Sequence, residues 1–179
     1  MDVVKHALRH ALAVFALDPS SNVHGVPHWV RVWNNARRLA EHVPGVGPSD
    51  VDVLAWFAFL HDCKRENDDA DPRHGMRASE YAKRLWEIGA IGLEPDRMWL
   101  LKTALEGHSA GYFIEDPVVL VCWDADRLDL PRVHVQPDPR RMCTRAGAIM
   151  ARALPRLQPR NSQRGRVFAP QLNKGRIAA

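Results

Sequence analysis

Acidic residues stop at Asp138: the last 41 positions of this 179-residue chain hold none, against ten arginines and lysines. The first 138 positions carry 15 basic and 21 acidic residues, so a net charge of +4 conceals an acidic body and a basic tail. No apolar run approaches the roughly 18 residues that a membrane-crossing helix needs, so no helical span is expected. Cysteine is scarce. Cys63, Cys122 and Cys143 are odd in number and widely spaced, which argues against a disulfide framework or a four-cysteine zinc site. The N-terminus lacks the charged region, apolar stretch and cleavage site of a secretory signal, and a cytoplasmic location is expected. A Gly-rich phosphate loop, a Gly-x-Ser-x-Gly elbow and an internal repeat are also missing. Their absence argues against a loop-type ATPase and a serine hydrolase.

What is present is apolar residues, 46% of the chain, recurring at helical spacing. The pattern predicts helices over 2–16, 27–42, 50–62, 76–89, 95–107, 117–130 and 140–153. An all-α bundle of six to seven helices in one domain, residues 1–154, is the expected fold. Only 118–123 could be claimed by a strand. Turn-forming residues at 18–22, 44–49 and 138–139 separate the helices, and Ser49 or Asp50 is a candidate N-cap for the third. From 155 to 179, Pro159, Asn161, Gly165, Pro170 and Gly175 interrupt any period, so a loosely ordered basic extension is expected. Its charge is read first as a solvated surface; contacts with nucleic-acid phosphates or with a neighbouring subunit are the alternatives.

Polar residues interrupt the apolar stripes in an ordered way. His61 and Asp62 continue the apolar faces of residues 51–60. His28 opens the face formed by Val32, Ala36, Leu39 and Ala40, and Asp126 shares a side with Val118, Cys122 and Ala125. A carboxylate or imidazole aimed at a core is costly unless it is hydrogen-bonded, paired or metal-bound. Any one of these residues alone reads as a satisfied core group. A His, then a His-Asp pair, then an Asp, on three separate helices, could together hold a divalent metal.

In that order the chain resembles the HD-domain superfamily of metal-dependent phosphohydrolases. The matching stretches are 24–32, 59–62, 71–75 and 122–129, within about residues 22–135. The resemblance implies an HD-domain-like helical bundle with His28, His61, Asp62 and a late Asp as metal ligands. Asp126 is the favoured late ligand, since Ala125-Asp126-Arg127-Leu128 looks like the phrase relatives use there; Asp124 is the runner-up. Some branches hold a second metal with additional histidines, which implies that role for His74 and His108. One or two divalent ions per chain are therefore expected, whether Mn, Mg, Co, Ni, Zn or Fe.

Arg31, Lys64, Arg65 and Arg127 adjoin these motifs and are candidate phosphate-binding groups, because guanidinium and ammonium groups suit phosphate oxygens. A bound divalent ion would bring the pKa of its water toward neutrality. Asp62 would support the reaction as ligand and catalytic residue, and Asp124, Glu66 or His108 would pass a proton to the leaving group. The expected substrate is a nucleotide or another small phosphate ester. A catalytically silent metal- and nucleotide-binding sensor and a di-iron oxygenase are the alternatives.

Overall fold

A computed structural model describes residues 2–108 and 114–157. Among the described residues there are seven α-helices and no strand: α1 (Val3–Leu12), α2 (Val26–Ala40), α3 (Val51–Leu60), α4 (His74–Glu87), α5 (Pro95–Gly107), α6 (Pro117–Arg127) and α7 (Arg145–Ala153). None of them is long and apolar enough to cross a membrane.

The architecture follows from α3. Every residue from Val53 to Leu60 is buried, and a helix that is apolar on all sides has to be surrounded. It is packed by α1, α2, α5 and α6, with α4 against α5 and α7 against α6. Fully burying side chains such as Leu54, Phe57 and Phe59 contributes about 1.5–3 kcal/mol each. Helices α1, α2, α4 and α7 are amphipathic. Trp29 and Ala36 of α2, for example, are completely buried, while Arg37 and Arg38 on its far face are exposed.

The ends of the helices differ from the periodicity in instructive places. Residues 118–123 are helical because the Asp116 carboxylate accepts the Val118 and Val119 N–H groups and Pro117 opens the first turn of α6. α1 ends at Leu12, four residues before the apolar pattern runs out. The last helix begins at Arg145, not 140, because a 3-10 turn, Pro139–Arg141, comes first and Thr144 then caps α7 through the Gly147 N–H at 2.9 Å. Asp50 does not cap α3. A 3-10 turn, Pro48–Asp50, runs straight into that helix, which gives Asp50 helical torsions. Its carboxylate accepts the Gly47 N–H at 2.8 Å and pairs with Arg97 at 2.7 Å.

Gly25 precedes α2 where a side chain cannot fit: a Cβ would lie 2.6 Å from the carbonyl oxygens of Pro19 and Ser21. That tight fold of the preceding loop sets His24 and His28 on either side of the turn into α2. The tail expected from residue 155 is described only as far as Leu157.

Candidate metal centre

The C-terminal end of α3 points His61 and Asp62 into the space between α2, α4, α5 and α6. His61 is fully buried and lies parallel to the Phe57 ring, with centroids 5.3 Å apart. Its Nδ1 is 3.0 Å from the Ala58 carbonyl, and since a carbonyl only accepts, Nδ1 carries the hydrogen and Nε2 faces inward as a lone pair. His28, in the first turn of α2, is built the same way. Its Nδ1 donates to Asp129 Oδ2 at 2.7 Å, and Arg31 Nε fixes the other oxygen of Asp129, also at 2.7 Å.

The two Nε2 atoms lie 2.9 Å apart. Two lone pairs repel at that distance, so a positive charge has to sit between them, either a proton or a cation. Without a metal the proton belongs on His28. Burial works against it there, but Asp129, Asp62 and Asp126 outweigh burial and raise its pKa. Burial dominates at His61 and pushes it down to about 3.

Two carboxylates complete this group. Asp62 Oδ2 is 3.5 Å from each Nε2. Asp126 Oδ1 is 3.4 Å from His28 Nε2 and 3.9 Å from His61 Nε2, and it is buried without a hydrogen-bond partner among the described residues. Both carboxyls stay ionised. Burial opposes this, but the histidines around Asp62 hold it well below the usual range, and Arg132 with the histidines brings Asp126 down to about 2.

A second group shares Asp62. His74, at the start of α4, has its Nδ1 on the Asp71 carbonyl, and His108, just past α5, has its Nδ1 on the Leu105 carbonyl at 2.7 Å. Their Nε2 atoms therefore face each other as lone pairs at 2.7 Å, and Asp62 Oδ1 is 3.3 Å from that of His74. One carboxylate thus presents one oxygen to each histidine pair. The ligand-type atoms of His28, His61 and Asp62, and those of Asp62, His74 and His108, lie within 4.8 Å of one another in each group.

The residues fit divalent ions. Ligand bonds of about 2.1 Å set neighbouring ligand atoms roughly 3 to 3.4 Å apart, close to the separations here. Imidazole and carboxylate donors suit Zn, Fe, Mn, Co and Ni. The unpartnered buried oxygen of Asp126 and the two pairs of facing Nε2 atoms are donors that such ions would satisfy.

Other residues singled out in the sequence lie elsewhere. Asp124 is not at the centre. It is fully buried, but its oxygens accept the Cys143 and Thr144 N–H groups and the Thr144 hydroxyl, so it holds the start of α7. The two-residue spacing from Asp126 turns it to the opposite side of α6. Arg127 goes with it, at 2.7 Å from Cys143 Sγ and 3.7 Å from Asp124. Glu66 has a side chain 70% exposed and pairs with Arg77 at 3.4 Å. Lys64 lies over the Tyr81 ring. Arg31 serves Asp129. Arg65 is buried at the rim, donating to the Asn67 and Asp69 carbonyls, with Nη1 3.7 Å from Asp62 Oδ1.

Three further residues outside the ligand pattern contribute to the centre. His24 Nδ1 is 3.0 Å from Asp62 Oδ2, Asp129 orients His28, and Arg132 lies 3.5 Å from Asp126. His24 stands four residues before His28 and Asp129 three after Asp126, each just outside the helix that carries its neighbour.

No protein-family model matches the sequence, and no curated protein is similar to it. The fold does have a relative. The crystal structure of a predicted HD superfamily hydrolase from an uncultured Thermotogales bacterium superposes with a TM-score of 0.63, over 83% of each chain, at 23% identity. At that identity the likeness establishes the fold, an HD-domain-like helical bundle.

Proposed function

We propose that the protein is a metal-dependent phosphohydrolase of the HD superfamily, acting on a nucleotide or another small phosphate ester in the cytoplasm. The observation that carries this reading is Asp62, whose two oxygens each face a pair of histidine Nε2 atoms. The shared fold and the order of the motifs support it. His28, His61, Asp62 and Asp126 would hold one divalent ion, and Asp62, His74 and His108 a second. Ions bound there supply an activated water and withdraw charge from a phosphoryl oxygen.

The protein's own groups prepare that chemistry. Carbonyls and Asp129 lock each imidazole in the tautomer that offers Nε2. His24 donates to Asp62 Oδ2 and fixes the carboxylate plane. Arg65 keeps one guanidinium nitrogen toward Asp62 and His74, where it can meet a phosphate oxygen. The buried walls of Phe57 and α3 exclude bulk water from the back of the site.

The test is metal analysis of wild type beside Asp62→Ala, with phosphate release from a nucleotide panel in Mn, Mg, Co and Ni. Stoichiometric metal and turnover, both lost in the variant, are expected. Metal without turnover would favour the sensor or the di-iron oxygenase, and a folded protein that takes up no metal would sink the reading.

A further inference from the structure

Arg132 has no role in the ligand pattern, yet it is built into the centre. It lies in a 3-10 turn, Leu130–Val133, just after α6, with its side chain 9% exposed. Its Nε donates to the Val23 carbonyl at 2.8 Å, next to His24, and its Nη2 lies 3.5 Å from Asp126 Oδ1. Its Nη1 is buried and has no hydrogen-bond partner among the described residues.

A desolvated guanidinium nitrogen without an acceptor is costly. A cation between the histidines accounts for the unpartnered oxygen of Asp126, but it would repel Arg132, so metal alone leaves this nitrogen unexplained. Of the neighbouring arginines, Arg31 is held by Asp129 and the Asn22 carbonyl and Arg77 by Asp71 and the Lys64 carbonyl, while Arg65, held by the Asn67 and Asp69 carbonyls, keeps only Nη1, 3.7 Å from Asp62 Oδ1. What satisfies both a metal ion and the free edge of Arg132 is an anion lying between them.

We infer that Arg132 is an oxyanion-binding side chain of this centre, its Nη1 donating to a non-bridging oxygen of a tetrahedral phosphoryl group while its Nε pins the loop that carries His24. The inference rests on the phosphohydrolase reading for the identity of the anion. It assigns phosphate recognition to a residue remote in sequence from the His-Asp pair and its adjoining basic residues.

Calorimetric titration of orthophosphate into Mn-loaded wild type, Arg132→Gln and Arg132→Lys tests it, with metal content measured on each. Loss of a charge-assisted hydrogen bond should weaken phosphate binding about tenfold or more in Arg132→Gln. The same metal stoichiometry as wild type is expected. Arg132→Lys, which keeps the charge without the planar fork, should fall between them and serves if the glutamine variant does not fold. Unchanged phosphate affinity overturns the inference and leaves the hydrolase reading standing, even if the unfolding midpoint drops. Loss of metal in both variants also overturns it, because Arg132 would then serve Asp126 alone. Phosphate binding that depends on Arg132, in a protein that hydrolyses no ester, would uphold the inference and remove the hydrolase. Failure of Mn-loaded wild type to bind phosphate would overturn both.

Discussion

Asp129 shows how much a residue outside the ligand set governs. It accepts from His28 Nδ1 at 2.7 Å, which fixes the imidazole's tautomer and adds negative charge behind it. Asp129→Asn keeps an acceptor and removes the charge. Metal affinity should fall about 10- to 100-fold, as is typical when a partner behind a ligand is altered, and a competition titration with a metal indicator would measure it. His108→Ala should instead remove one metal equivalent and spare the other, since His28, His61 and Asp126 do not depend on it; elemental analysis would distinguish half occupancy from none. The inward direction of His28, His61 and Asp62 was legible in the sequence because helical spacing sets direction. For Asp124 and Asp126 spacing showed only that they diverge, since either could have faced the histidines. Arg132 was not legible at all, because a 3-10 turn after a proline has no apolar period against which to read it.

Among the elements, α7 depends on a single buried carboxylate. Asp124 accepts three hydrogen bonds from the Cys143–Thr144 segment. Asp124→Ala would leave those donors unpaired and should cost about 2–4 kcal/mol, read as a lower urea midpoint, with metal content unchanged. The α4–α5 contact is as exacting. A Cβ on Gly75 would collide with the Leu105 carbonyl and meet His108 Cε1 at 3.0 Å. Gly75→Ala should push the two helices apart at a cost of about 1–3 kcal/mol and loosen the His74–His108 pair, so that thermal midpoint and second-metal occupancy fall together. The helices themselves were legible from period and turn chemistry. Their ends were less so, because residues 140–141 of the 3-10 turn before α7 continue the helical pattern, and only hydrogen bonding distinguishes them.

For the molecule as a whole, acid is the informative variable. Burial pushes Asp71 up, but the Glu66 N–H and the Arg77 guanidinium outweigh it and hold the carboxyl below its usual range. A lowered folded-state pKa contributes stability that is complete above the unfolded value, about 3.9, and is lost as pH falls through the folded one. Asp71→Asn should therefore be less stable than wild type at neutral pH, and the gap should narrow below about pH 4, as urea midpoints of the metal-free proteins would show. The layered bundle was legible as a class, because residues 53–60 are apolar without interruption and can only be central. Which helices surround them is set by long-range packing that periodicity does not encode. His28 and Asp129, hydrogen-bonded to each other, stand 101 positions apart. Ions held by His28, His61 and Asp126 would therefore fasten the two ends of most of the folded chain, as a disulfide does. Closing a loop of that length removes about 4–5 kcal/mol of chain entropy from the unfolded state, so a chelator should act on this protein as a reductant acts on a cross-linked one, opening it to proteases.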